Sequence, residues 1–371
     1  MASDALDYIS IEGFKSIASI ERLELRAINV VIGPNGCGKS NFIGVFSFLH
    51  AIREGRLAEY VAQAGGAERI LHYGSKKTPL MRLRLSFGNG MNGYGIELGP
   101  TVEDGLFPLT ETAYYQGAGY NQPYSTGLLS RKRGKEAGIS SEDLKGTAAW
   151  VRARLGSWRV YHLHDTSGSS PMRKTAKVDD NAFLRADGSN LAAFLYRLKH
   201  QNEASYQLIR GTVQLVAPFF DDFELKPRQL KPDDIRLEWR HRRSDQYFDA
   251  SSLSDGTLRF IVLATLFLQP TALRPSVILV DEPELGLHPY AIELLAALVK
   301  QAATDTQVIV STQSSLLLDH FEPADVLVAR RQDGGTELTR LDAEPLQKWL
   351  EEYSLGQLWE KNEVGGRPSP E

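Results

Sequence analysis

Residues 33–40 read Gly-Pro-Asn-Gly-Cys-Gly-Lys-Ser, a full G-x-x-x-x-G-K-S phosphate-binding loop. The apolar run Ile28-Asn29-Val30-Val31-Ile32 precedes it, and residues 41–52 follow with Phe42, Val45, Phe46, Leu49 and Ile52 at helical spacing. A loop between strand and helix is the setting in which this motif has a mechanism. Its glycines let backbone N–H groups curl round phosphate oxygens, and the positive end of the new helix points at the same anion. Amides of Asn35, Gly36, Cys37, Gly38, Lys39 and Ser40 are the expected cradle. Lys39 is expected to reach the β- and γ-phosphates and the Ser40 hydroxyl to ligate Mg²⁺.

A matching half lies far downstream. Residues 276–280, Ser-Val-Ile-Leu-Val, form a short β-branched run that predicts a buried strand. Asp281 and Glu282 stand at its C-terminal end, where open α/β sheets place ligands. The aspartate suits Mg²⁺ and the glutamate suits a general base on water. Leu253-Ser254-Asp255-Gly256-Thr257 stands before an apolar helical stretch at 258–268, a third anion-facing helix start.

These three elements, in this order, resemble the ATP-binding-cassette ATPases over about residues 8–331. The resemblance implies an α/β fold: an ABC-type P-loop head with a mixed or parallel central sheet, an antiparallel β-lobe and an inserted helical lobe. It divides the chain into an ATPase domain at 1–331 and a C-terminal helical extension and tail at 332–371. Within the domain, 1–98 is the lobe with the P-loop and 99–250 the insertion and helical lobe. Residues 251–331 hold the signature, the Walker B acids and the switch strand. The family's Leu-Ser-x-Gly signature meets the γ-phosphate bound by the other subunit. Ser254 and Gly256 would therefore act in trans, in a head-to-tail homodimer holding ATP.

The opening Ile9-Ser10-Ile11-Glu12-Gly13-Phe14-Lys15-Ser16-Ile17 is similar to the SMC/RecF/OLD-like branch, with Lys15 and Ser16 near the nucleotide and Asn41 trailing the loop. Residues 281–289 and 353–359 resemble small ATPases of the AAA_21 type. That branch implies ATP hydrolysis coupled to DNA engagement, or to control of an effector nuclease or toxin, in DNA maintenance or anti-phage defence. The alternative is a nucleotide-dependent scaffold for a toxin or nuclease without direct DNA binding. Three departures stand out. Gln313 replaces the usual histidine after the 307–312 strand; it can hydrogen-bond a γ-phosphate but not carry a proton, which implies slow hydrolysis or a site that acts mainly as a nucleotide sensor. The usual aspartate after the Walker B acids is not evident, with His288 nearby, and the Mg²⁺-ligating glutamine has no clear place, Gln63 and Gln116 being candidates without strong context.

Composition narrows the class. Hydrophobic residues make up 42% of 371, enough for a real core. There is no 18-residue apolar run and no secretory leader, so a cytoplasmic protein is expected, off the membrane. The formal net charge of −4 excludes a uniformly basic nucleic-acid binder but not a local patch. Two patches qualify: Arg131-Lys132-Arg133-Gly134-Lys135 after Tyr114, Tyr115, Tyr120 and Tyr124, and the 226–243 segment, with seven Lys/Arg against three acids and a hairpin at 240–243. Residues 99–145 are expected as an insertion, in part loop. Arg173, Lys174 and Lys177 are expected in a loop near phosphate or DNA. His162, His164 and Asp165 lack a partner at metal-ligand spacing and are expected as side chains on the edge of a 158–164 strand. Cys37, the single cysteine, fits the loop as a small residue at a helix start that would lower its thiol pKa.

Overall fold

The computed structural model describes residues 5–117, 123–129 and 135–365. The chain divides into two compact units, residues 1–159 with 322–371, and residues 160–321.

In the first unit, alternating apolar residues build a six-stranded antiparallel sheet. Its order is Ile17–Glu24, Leu6–Phe14, Met81–Phe87, Asn92–Pro100, Leu106–Tyr115 and Tyr124–Gly127. Residues 99–145, expected as an insertion in part loop, contribute the strands Leu106–Tyr115 and Tyr124–Gly127. Polar residues hide the alternation: Glu111 is buried in the sheet and accepts from the Tyr94 hydroxyl at 2.8 Å and from the Gly138 and Ile139 amides. The strand Ile28–Ile32 runs parallel to Val326–Gln332, which pairs antiparallel with Gly335–Arg340. Helix Lys39–Arg53 packs Phe48 against Phe14 and Phe46 against Trp158. Each such aromatic removed from water is worth roughly 1.5–3 kcal/mol, so the helix and the loop before it are firmly seated.

The second unit pairs Val277–Asp281 in parallel with Gln307–Thr312, and both strands are buried throughout. Helix Asp255–Leu268 buries every residue from Leu258 on, the pattern of a helix enclosed on all sides. It packs against helices Glu203–Val216 and Pro289–Ala302. A three-stranded antiparallel sheet of Phe220–Glu224, Glu238–His241 and Tyr247–Asp249 carries the basic hairpin. Among the described residues, no helix is long and apolar enough to cross a membrane.

Candidate functional site

The phosphate loop lies wholly in the first unit. Gly38 has φ +105°, and a Cβ there would lie 2.0 Å from Thr336 Oγ1 and 2.8 Å from Ser16 Oγ, so only glycine fits. Gly38 caps helix Lys39–Arg53 with no side-chain hydrogen bond, and no acid occupies the first turn. Its leading N–H groups are therefore offered to an external anion. Lys39 is buried, and its Nζ donates to the Gly33 carbonyl at 2.7 Å and the Pro34 carbonyl at 3.1 Å, folding over the loop. Asn35, Gly36 and Ser40 are exposed at the loop rim.

The Lys15-Ser16 turn is tied to that loop. Ser16 Oγ accepts from Asn41 Nδ2 and donates to Thr336 Oγ1, each at 2.7 Å. Thr336 in turn donates to the Cys37 carbonyl at 2.8 Å. Lys15 takes φ +49°, with its carbonyl against His72 Nδ1 at 2.8 Å. Its ammonium lies 5.5 Å from the Phe14 ring centre, and burial lowers its pKa. Thr336 carried no sequence signal; a lone threonine in a polar strand looks like any other surface residue.

Cys37 corrects one expectation. The thiol is buried, and desolvation raises its pKa above the ordinary value; nearby Lys39 opposes this only in part. It is a packed small residue, not an activated thiol.

In the second unit, Asp281 ends its strand, and its Oδ1 accepts from the Ser311 hydroxyl. Glu282 adopts φ +45°, unusual for a side-chain-bearing residue, and its amide donates to Ser311 O at 2.9 Å. Gln313 Nε2 donates to Glu282 Oε1, so the structure brings Asp281, Glu282 and Gln313 into one cluster. Glu284 sits beneath them, accepting from Thr312 Oγ1 at 2.5 Å and the Gln313 amide at 3.2 Å. Burial raises its pKa.

The 158–164 strand is shorter than expected, ending at Tyr161. His162 and His164 are not isolated edge residues: Asp281 lies with them, and His164 Nε2 is 3.7 Å from Asp281 Oδ2. Asp165 instead accepts from Ser167. Sequence spacing concealed the cluster because its carboxylate lies over a hundred residues away. Gln63, a candidate for the missing glutamine, bonds Glu59 on its own helix at 2.9 Å, and the Gln116 backbone N–H donates to Met91 O.

Ser254 caps helix Asp255–Leu268, accepting from Thr257 N at 3.1 Å. Gly256 is required by close approach: a Cβ would lie 2.2 Å from Gly286 O. Arg173, expected near phosphate or DNA, is turned inward. It donates to the carbonyls of Ala250 and Leu253 and to Asp255 Oδ1 at 2.7 Å, bracing the Leu-Ser-Asp-Gly loop. Of the basic patches, Tyr120 and residues 131–134 lie outside the described residues. In the hairpin, Arg240 pairs with Asp221 at 2.7 Å, Lys226 with Glu224 and Arg236 with Glu238. Arg242 and Arg243 are exposed.

An uncapped, acid-free helix start with a buried lysine folded over it suits a polyphosphate, and a buried carboxylate at a strand end suits a hard cation. The family model described as "AAA domain, putative AbiEii toxin, Type IV TA system" (AAA_21) matches residues 28–319. Among solved structures, the chain is similar to an Smc head bound to the C-winged helix domain of ScpA: TM-score 0.61, 15% identity, over 92% of this chain and 99% of that one. It is also similar to an Smc head with an extended coiled coil bound to the C-terminal domain of ScpA derived from Pyrococcus furiosus, with TM-score 0.60 and 13% identity over 94% and 99% of the two chains. Comparison with curated proteins gives no match.

Proposed function

The chain belongs to the AAA_21 family, with the SMC-like ABC-type P-loop fold, and from that premise we propose that it binds and hydrolyses ATP with Mg²⁺ as a head-to-tail homodimer. Lys39 and the amides of residues 35–40 hold phosphate, with Lys15, Ser16 and Asn41 supporting the loop. Ser40 and Asp281 supply hard oxygen donors to Mg²⁺, which neutralises phosphate charge when bound. Glu282 positions and deprotonates water; Gln313, bonded to it, orients that carboxylate and senses the γ-phosphate. Ser254 and Gly256 act from the partner subunit. The observation that carries this reading is the Glu282–Gln313 contact on a strained backbone at the end of a buried strand. Such strain persists where the surroundings hold a side chain in a working position.

The test is Glu282→Gln. ATP should remain bound, the dimer should persist in ATP by light scattering, and turnover should fall at least about 100-fold. Unchanged turnover, or a strictly monomeric variant in ATP, contradicts the reading.

The output is DNA engagement, or control of an effector nuclease or toxin in DNA maintenance or defence. A second reading, a nucleotide-dependent scaffold without direct DNA binding, draws support from the hairpin, where acids neutralise three of the basic side chains. ATPase stimulation by bare DNA favours the first; a co-purified effector with no DNA response favours the second.

A further inference from the structure

We propose that His162, His164 and Asp281 form a binding site for a divalent first-row transition ion, held by two imidazoles and one carboxylate. One ligand atom from each of the three lies within 4.8 Å of the others. A first-row ion with bonds of about 2.0–2.2 Å holds neighbouring donors roughly 3–3.6 Å apart. His164 Nε2 and Asp281 Oδ2, at 3.7 Å, already approach that spacing. The remaining gap closes by rotation of the imidazoles, which belong to exposed residues, while the carboxylate is buried.

The backbone favours this arrangement. His162 and His164 flank buried Leu163 just beyond the strand Arg159–Tyr161, their rings 6.4 Å apart and inclined by 29°. Arg259, buried on helix Asp255–Leu268, donates to Leu163 O at 3.0 Å and His164 O at 3.3 Å, pinning the segment. Asp281 Oδ1 is held by Ser311, which turns Oδ2 toward the histidines. Two nitrogen donors and one oxygen select Mn²⁺, Co²⁺ or Zn²⁺ over Mg²⁺, which prefers oxygen and water. Three protein donors leave a coordination position open to water or a phosphate oxygen. The inference deepens the reading of Asp281 as a metal-holding acid, but its three donors converge without nucleotide.

The experiment uses the full untagged chain, stripped with chelator and titrated with Co²⁺ and Zn²⁺ in the absence of nucleotide. Co²⁺ absorption and bound metal after dialysis are read, and Mg²⁺-ATP binding is measured in parallel. About one ion per chain is expected, and Ser40→Ala should keep it. The pair His162→Ala/His164→Ala, and separately Asp281→Asn, should weaken Co²⁺ binding at least tenfold. If the double variant does not fold by circular dichroism, His164→Gln alone carries the same expectation. Equal Co²⁺ binding in wild type and the folded histidine variant overturns the site, as does a wild type that retains no ion. ATP binding that persists in that case leaves the ATPase reading standing; a chain that takes Co²⁺ but not ATP sinks the ATPase reading alone.

Discussion

Glu284 lies 7% exposed, and its Oε2 has no hydrogen-bond partner among the described residues. Desolvation dominates the two hydrogen bonds on Oε1 and raises the folded-state pKa above the unfolded value. For an acid the sign is then fixed. Above the folded pKa the buried charge costs stability, and as pH falls the folded state takes up the proton first, so this cost disappears. Glu284→Gln should therefore melt higher than wild type at pH 8, by about 2 °C, with the gap narrowing by pH 5. A gap that is constant with pH, or reversed, would show that the carboxylate is better solvated than its burial implies. The acids at 281, 282 and 284 thus have different surroundings: Asp281 on a hydroxyl, Glu282 on an amide, Glu284 in the interior.

The Leu-Ser-Asp-Gly loop is held from outside its own helix. Ser254 supplies an ordinary cap, but the carbonyls just before it are bound by Arg173, whose side chain is only 8% exposed. A planar guanidinium reaches Leu253 O and Asp255 together; an ammonium cannot. Arg173→Ala should leave ATP binding by the phosphate loop intact and lower turnover about tenfold, ~1.4 kcal/mol in the barrier. Arg173→Lys should not restore it. Unchanged steady-state turnover with normal folding would remove Arg173 from the positioning of this loop. The element itself was legible, since Ser254 followed by an apolar run gives a helix start from local chemistry alone. Its brace was not, because Arg173 ends a single short helical turn, Pro171–Arg173, and by sequence looks like a solvated cation.

At the scale of the whole molecule, a net charge of −4 leaves any nucleic-acid contact to local patches. Arg240 is engaged by Asp221, so the hairpin's outward charge rests on Arg242 and Arg243. If DNA stimulates turnover, Arg242→Glu/Arg243→Glu should reduce that stimulation at least about threefold at low salt, nearly as much as a triple change including Arg240. DNA-stimulated rates that match wild type would take the hairpin out of the interface. The sequence by itself determined the phosphate loop, the acid-bearing strand and the serine-capped helix. Each is written in contiguous residues whose backbone demands are local: glycine where φ is positive, β-branched runs where both faces are buried, serine where an N–H needs an acceptor. Only tertiary structure decided that the 106–115 stretch, with Glu111 buried at its centre, is a strand, that Thr336 clamps Ser16 to the loop, and that Asp281 meets two histidines. Those outcomes depend on side chains distant along the chain becoming neighbours, and no local pattern encodes such a meeting.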